Sequence, residues 1–343
     1  MEIEFSGVCG AVVTHDQHIA AWLFVQLQFA VNEVDRRLHF IYNNKLIDFK
    51  IWKGAGTMRF LMTVMIVLMS VCILSAAAEE VYTLPVDFTP GKTVHQAYYI
   101  SETEYKDPTL HVVIEQGRKE NCDYWVARVK IGHASQLRTA AAGGFYNDYT
   151  MKATHLAKRQ NAVLAIDGDY YAYYPYGMVV RQGLFYRDKL RQERDVLAID
   201  EDGDFHIFLV PDKGAVPLEY NGKQLINVFH FGPALVVDGE VGKLDASYWL
   251  APDAKRQRMC IAQTGHLEYM ALCCAGPMRG SEGMDIKQFA DLAKELGAVN
   301  AYNLDGGDST IMIFNGQKIN DKENSNTRDI SDIIYFASAW EGK

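Results

Sequence analysis

The sequence predicts an α+β domain, a twisted mixed β-sheet carrying a few helices, set behind an export signal. Two observations predict the class. Short β-rich runs separated by turn residues follow one another between residues 110 and 336, and only two stretches of that region carry a helical period. A third observation sets the limits of the domain. An uncharged run from Phe60 to Leu74 follows Arg59 and ends in Ala76-Ala77-Ala78, the small-residue pattern a signal peptidase reads.

Along the chain, residues 1–57 read as a non-native upstream extension, because a signal peptide should open a chain and Met58 begins one here. The alternative is a genuine extension with a helix over 19–34, where Trp22, Val25 and Phe29 recur at helical spacing. Residues 58–78 read as the signal peptide, cleaved before Glu79. Its core is short of the roughly 20 apolar residues of a membrane span, although an uncleaved segment would still anchor the chain. Lys53 and Arg59 ahead of the core and Glu79-Glu80 behind it direct the C-terminal part outward in either case.

Residues 79–137 read as the N-terminal β-rich part of the mature domain, with strands expected at 110–116 and 123–131. Further strands are expected at 162–166, 177–186, 196–200, 205–210, 228–237, 258–264, 267–273, 301–304, 310–314 and 332–336. Asp202-Gly203 marks a hairpin turn between two of them. One helix is expected over 151–160 with Thr150 as N-cap. The other spans 285–296, where Ile286, Phe289, Ala290, Ala293 and Leu296 share a face, Asp285 and Gln288 form a capping box, and Gly297 ends the helix. No repeat or linker divides the mature part, and its length suits one domain.

The first 78 residues are charge-balanced, so the mature part carries the whole net charge of −9. An acidic surface argues against a nucleic acid or an anionic membrane as partner, while a few arginines in a pocket can still set a local field for phosphate. Four cysteines follow the signal: Cys122, Cys260, Cys273 and Cys274. Outside the cytoplasm one disulfide is expected, with adjacent Cys273 and Cys274 on opposite faces of a strand. There is no C-x-x-C spacing for structural zinc and no G-x-S-x-G elbow for a serine hydrolase. His230 and His266 stand alone, outside any H-x-x-x-H pair. Asp200 to Asp204 lacks the spacing and terminal glutamate of a calcium loop and reads as a hairpin tip.

Two segments carry chemistry. In Ala301 to Thr310 a strand runs into Asp305-Gly306-Gly307-Asp308-Ser309, where two glycines would let backbone N–H groups converge on a phosphate oxygen. The same segment also reads as a tight turn with Asp305 capping backbone amides. In Ala162 to Tyr171 a strand ends in Asp167-Gly168-Asp169, carboxyl groups fixed by a strand and exposed by a turn, as general acid or base work requires; solvated turn acids are the other reading. Tyr170, Tyr171, Tyr173, Tyr174 and Tyr176 follow, as a sugar-stacking surface or as core.

Five segments then occur in one order: Leu164 to Tyr171, Phe231 to Gly239, Gly283-Met284 with the helix after it, Asn303-Leu-Asp-Gly-Gly307, and Arg328-Asp-Ile-Ser-Asp332. Together they resemble the phosphodiester glycosidase family over about residues 138–337. The resemblance implies an exported hydrolase that cleaves a glycosyl-phosphate linkage in a surface or extracellular glycan. It implies Asp305, Asp169 and Asp167 as the catalytic acids. Arg181, Arg258, Arg279, Arg328, Gly306, Gly307 and Ser309 would bind substrate or phosphate. Departures occur at Asp308, where the family usually has glycine, and at Asp167, where it has asparagine. Arg279, in Ala275-Gly-Pro-Met-Arg279, would replace from a shifted position the arginine of an Asp-Gly-Arg run.

The chemistry suits this set. Cleaving C1–O of a glycosyl phosphate builds positive charge on the sugar and expels a phosphomonoester, already a good leaving group. Arginine on the phosphate therefore matters more than a strong general acid, while a carboxylate must still activate water or attack C1. No cofactor is required; a divalent cation at Asp167, Asp305 and Asp308 would relieve the repulsion between clustered acids and phosphate. The expected partner is a glycan or sugar phosphodiester, with no nucleic acid and with membrane contact only through the signal segment. The expected location is secreted or extracytoplasmic. The alternative function is a non-catalytic carbohydrate-binding or cell-envelope module of the same fold.

Overall fold

The structure, a computed structural model, describes residues 37–42, 45–50, 81–189, 194–209, 216–244, 252–278, 280–322 and 327–342. The chain divides into two compact units, Met1–Glu79 and Glu80–Lys343. The described part of the first is an antiparallel hairpin, Arg37–Tyr42 against Lys45–Lys50. The expected signal segment at 58–78 and the alternative helix at 19–34 lie outside the described residues. Among the described residues, no helix is long and apolar enough to cross a membrane.

The second unit is layered helix, sheet, sheet, helix. A five-stranded sheet runs Gln317–Lys318, Met312–Phe314, Ala162–Asp167, Asp332–Ala337, Leu137–Ala141. Its two central strands are buried on both faces, which is why they read as continuous apolar runs. One face (Ala165, Ile333, Tyr335, Ala337) packs on helix α1, Ala153–Arg159; the other (Leu164, Ile166, Ile334, Phe336) packs on the eight-stranded sheet. That sheet runs Glu240–Val241, Ala234–Val237, Asn300–Asn303, Arg258–Gly265, Glu268–Cys274, Cys122–Ile131, Leu110–Lys119, Glu104–Lys106. Its outer face is covered by helix α2, Ile286–Glu295, through Phe289, Ala290 and Ala293. Residues 104–131, from the N-terminal β-rich part, thus share a sheet with residues 234–303. A third sheet holds Phe205–Phe208, Val196–Asp200, Lys223–Phe229, Gly177–Arg181 and Leu184–Lys189, with Glu219–Tyr220 beside Lys223–Phe229. The α+β class stands, with strands far outnumbering helices and antiparallel pairing in the described ladders.

Several element boundaries differ from expectation for local reasons. Helix α1 starts at Ala153 because Met151 pairs its backbone with Ile330, so Thr150 is no N-cap. The run 177–186 is a hairpin, not one strand: Gln182 (φ 49°) and Gly183 (φ 74°) form the left-handed two-residue turn that antiparallel strands favour. The run 228–237 breaks at Gly232-Pro233, where proline offers no N–H to a ladder, and its halves join different sheets. Helix α2 follows the sequence closely: Asp285 and Gln288 make both bonds of the capping box, and Gly297 (φ 98°) ends the last turn. The expected disulfide is absent from the described residues, where Cys122, Cys260, Cys273 and Cys274 are buried thiols. Cys273 and Cys274 do face opposite layers.

Candidate active site

The ends of all three sheets converge on one cluster of acids. Asp167 closes the central strand Ala162–Asp167, and Asp332 opens its antiparallel neighbour in a register that pairs Ile333 with Asp167. The two acids therefore share one end of the sheet. Gly168 between them admits no side chain, because a Cβ there would lie 2.3 Å from Asp332 Oδ2. Asp167 Oδ1 accepts from the Ile311 amide at 2.9 Å, and Asp332 Oδ1 accepts from the Ser331 hydroxyl at 3.0 Å. The second oxygen of each is buried without a hydrogen-bond partner, as is Asp169 Oδ1.

Burial among like charges favours the protonated form of two of these acids, Asp167 and Asp332. Burial, then the nearby Asp305, pushes the Asp167 carboxyl well above the usual range. Burial and the neighbouring Asp169 push Asp332 up to about 7, against the opposing pull of Arg181. Arg181 is wholly buried at the end of Gly177–Arg181 and lies between them. Its Nη2 sits 2.8 Å from Asp169 Oδ2, out of hydrogen-bond alignment, and 3.7 Å from Asp332 Oδ2. Its Nη1 donates to the carbonyls of Val180 and Val228, and the guanidinium packs 4.1 Å over the Phe229 ring. Asp169 also accepts from the His230 amide at 3.2 Å.

Asp305 forms the rim. It lies just beyond Asn300–Asn303, and its amide donates to the Gly168 carbonyl at 3.1 Å, tying its loop to the acid turn. Its Oδ1 accepts from the Gly306 amide at 2.9 Å, and its Oδ2 lies 2.6 Å from Arg328 Nη2. The Asp305 side chain is 14% exposed and that of Arg328 41%. Burial raises the Asp305 carboxyl above its ordinary value, while Arg328 and the Ser309 hydroxyl pull it down; Ser309 faces it without reaching hydrogen-bond geometry. Arg328 also lies 5.1 Å over the Tyr170 ring and 5.8 Å over Tyr173, two rings stacked at 4.6 Å. Tyr170 carries φ 67°, a strained backbone that sets its ring at the mouth. A shallow surface depression is lined by Asp167, Gly168, Tyr170, Tyr173, Asp305 and Asp332, among others.

The structure thus brings together Asp167, Asp169, Arg181, Asp305, Ser309 and Arg328. Arg258 is directed elsewhere: its guanidinium donates to the carbonyls of Met284, Pro252 and Ala254, on the α2 side of its strand. The Gly306 amide is taken by Asp305 and the Gly307 amide by the Gln257 carbonyl, so the loop folds as the tight turn rather than as a converging nest. Arg279 lies outside the described residues. Asp308 is exposed, and among the described residues no group of three His, Cys, Asp or Glu is arranged to hold a metal. Of the tyrosines, Tyr171 is buried with its hydroxyl on the Asn147 carbonyl, whereas Tyr173 stands 46% exposed at the mouth. At the hairpin tip, Asp200, Asp202 and Asp204 surround the Lys223 ammonium at 3.6, 2.8 and 3.6 Å, an internal cation in place of a calcium ion. Asp332 is the site residue to which the sequence assigns no role. Its signal is an acid opening an entirely apolar strand, Asp332-Ile-Ile-Tyr-Phe-Ala337, whose first position is buried like the rest.

A model of the phosphodiester glycosidase family matches residues 160–337, just over half of the chain and the span that holds the acid cluster. The chain belongs to the phosphodiester glycosidase family. Its fold is similar to the catalytic domain of zebrafish N-acetylglucosamine-1-phosphodiester alpha-N-acetylglucosaminidase, auto-inhibited by its pro-peptide. That match has a TM-score of 0.56 and 16% identity, covering 72% of this chain and 87% of that one. A hypothetical protein from Synechocystis matches with a TM-score of 0.50 and 17% identity, covering 66% of this chain and 62% of that one. A putative exported protein from Burkholderia pseudomallei gives a TM-score of 0.44 at 14% identity, over 63% and 74% of the two chains. At such identities the likeness is one of fold. No curated protein matches the sequence.

Proposed function

We propose that this phosphodiester glycosidase family member is an exported hydrolase that cleaves a glycosyl-phosphate linkage in a surface or extracellular glycan. One observation carries the reading. Three buried aspartates with unpartnered oxygens lie behind a fourth at the rim, and that rim acid is paired to a half-exposed arginine. Buried polar atoms without partners are costly and concentrate where a ligand or a proton supplies the partner.

The roles follow from exposure and charge. Arg328 receives the phosphate, being the accessible guanidinium at the mouth; Arg181 lies too deep and serves as counter-ion to Asp169 and Asp332. Asp305, beside Arg328 and facing the depression, activates water or attacks C1. Asp332, pushed up to about 7, offers a proton to the departing phosphate oxygen, and Asp167, whose carboxyl burial also pushes up, lies beside it. Tyr170 and Tyr173 give the sugar an aromatic wall. Export rests on the apolar segment ending at Ala78. The test is release of free sugar from a panel of glycosyl phosphodiesters. Turnover should fall about 100-fold or more in Asp305→Asn with its fold intact. Sugar affinity without any turnover by the parent chain would instead favour a binding module.

A further inference from the structure

We infer that the Arg328–Asp305 ion pair is a latch which the substrate phosphate opens, taking Arg328 for itself and releasing Asp305 to act on the sugar. The latch rests on the reading of Arg328 as the phosphate-binding residue, and goes beyond it by making binding and activation one event.

The geometry points this way from both sides of the pair. Asp305 Oδ2 has Arg328 as its partner at 2.6 Å, while Oδ1 is held by its own Gly306 amide. As long as the pair is closed, the carboxylate that faces the depression is occupied by a cation and is a poor base. Arg328 is the more exposed half: its side chain is 41% exposed, and its guanidinium lies 5.1 and 5.8 Å from the Tyr170 and Tyr173 ring centroids, π contacts that hold it at the mouth. Its backbone is fixed independently, its amide donating a hydrogen bond to the Asp308 carbonyl at 3.1 Å, so a swing of the side chain need not move its backbone.

The charges around the pair favour the exchange. Asp305 is faced by Asp167 and Asp332 from the five-stranded sheet, by Ser309 from its own loop, and by Arg328; Arg181, the deeper guanidinium of the site, is already paired with Asp169. A phosphate arriving in a site this acidic meets Arg328 as its accessible cation, and to bind it must displace a carboxylate from that cation. A neutral sugar has no means of doing so, which makes the latch a filter for substrates that carry phosphate. Selection arises from competition for Arg328, with no contact to the rest of the glycan.

The latch has a consequence of unusual sign. Removing the competing carboxylate should tighten anion binding, although Asp305 lines the site. With dimethyl phosphate as probe, carrying one fixed charge near neutral pH, Asp305→Asn should bind about fivefold more tightly than the parent. That factor corresponds to one partly exposed ion pair no longer competing. Arg328→Gln should lose binding, and the double variant should behave as Arg328→Gln. Unchanged or weaker binding by a folded Asp305→Asn, or retained binding by Arg328→Gln, overturns the latch. The sugar-release assay separates this from the functional reading. Turnover by the parent with no tightening in Asp305→Asn leaves the hydrolase and removes the latch. Tightening without turnover keeps the latch on a chain that is not a hydrolase.

Discussion

At the scale of single residues, Asp332 shows how burial and function oppose one another. Its carboxyl titrates at about 7 in the folded chain because it is buried beside Asp169, against roughly 3.9 in an unfolded one. Between those values the folded chain holds a proton that the unfolded chain has released. This group's contribution to stability is therefore intact below about pH 4 and is lost as pH rises to 7, by an amount on the order of a few kcal/mol. Asp332→Asn removes the titration. Its melting temperature should exceed that of the parent at pH 8, and the gap should close as pH falls towards 4; an equal gap at both values would mean that Asp332 is not buried as an acid. Parent turnover should decline above pH 7, where the proton leaves. None of this was legible in the sequence, since an acid opening a strand looks the same whether water or another carboxyl lies beyond it. Asp167 and Asp169 were legible because glycine stood between them. The misplacement of Arg258 has the opposite cause. An arginine opening a strand can turn to either face, and here Met284, Pro252 and Ala254 offered carbonyls on the far one.

At the scale of elements, the site depends on how closely two strand ends approach. The Gly168 amide donates to the Asp332 carbonyl at 3.1 Å, and the missing Cβ leaves room for the Asp332 carboxyl. Gly168→Ala would place a carbon 2.3 Å from Asp332 Oδ2 and 2.4 Å from Cγ, so the acid must move. Overpacking of this kind costs about 1–3 kcal/mol, and turnover should fall with stability because the displaced group is in the site. Gly183→Ala is the matched control. Gly183 has φ 74° in the hairpin turn, and the atoms nearest to a methyl group there, in Ile226 and Val86, would lie 4.0 Å away. It should lose stability of about 1 kcal/mol through backbone strain and keep its turnover per folded molecule. Thermal unfolding and sugar release measured on both variants decide the matter: a Gly168→Ala variant with parental turnover would show that the Asp332 position is unimportant. Elements whose signals are local were legible in the sequence, above all the α2 capping box and the Asp202-Gly203 hairpin. Leu137–Ala141 was not, because Arg138 and Thr139 interrupt its apolar pattern, and both are buried only by virtue of distant partners.

For the second unit as a whole, Arg138 joins the N-terminal segment to the site. It is fully buried, and its guanidinium donates to the carbonyls of Pro85, Asp87, Thr89 and Ser135 and to the Tyr335 hydroxyl. The segment 84–91 is thereby strapped across the edge of the five-stranded sheet. Gln182 holds the Asp87 carbonyl from the third sheet, and the Gly91 amide donates to the Gln160 carbonyl after α1. The strap also reaches the acids. Phe88 packs 5.7 Å from Phe145, and Phe145 lies 5.4 Å from the Arg181 guanidinium that pairs with Asp169. Replacing Arg138 with glutamine removes most of these bonds, including those to the Thr89 and Ser135 carbonyls, and with them a buried charge that the carbonyls had solvated; the Asp87 carbonyl keeps Gln182 and the Pro85 carbonyl keeps the Asp87 amide. The expected loss is about 3–5 kcal/mol, comparable to breaking a buried ion pair, or a fall in melting temperature on the order of 10 °C. Arg138→Gln should release the strap before the rest of the unit unfolds, because its own apolar contacts are few. Limited proteolysis should then cut within 81–91 at temperatures where the parent is resistant, and turnover should fall at those same temperatures as Phe145 loses its support. A variant that melts earlier yet keeps 81–91 protected until global unfolding would show that Phe88 and Leu84, rather than Arg138, hold the strap in place.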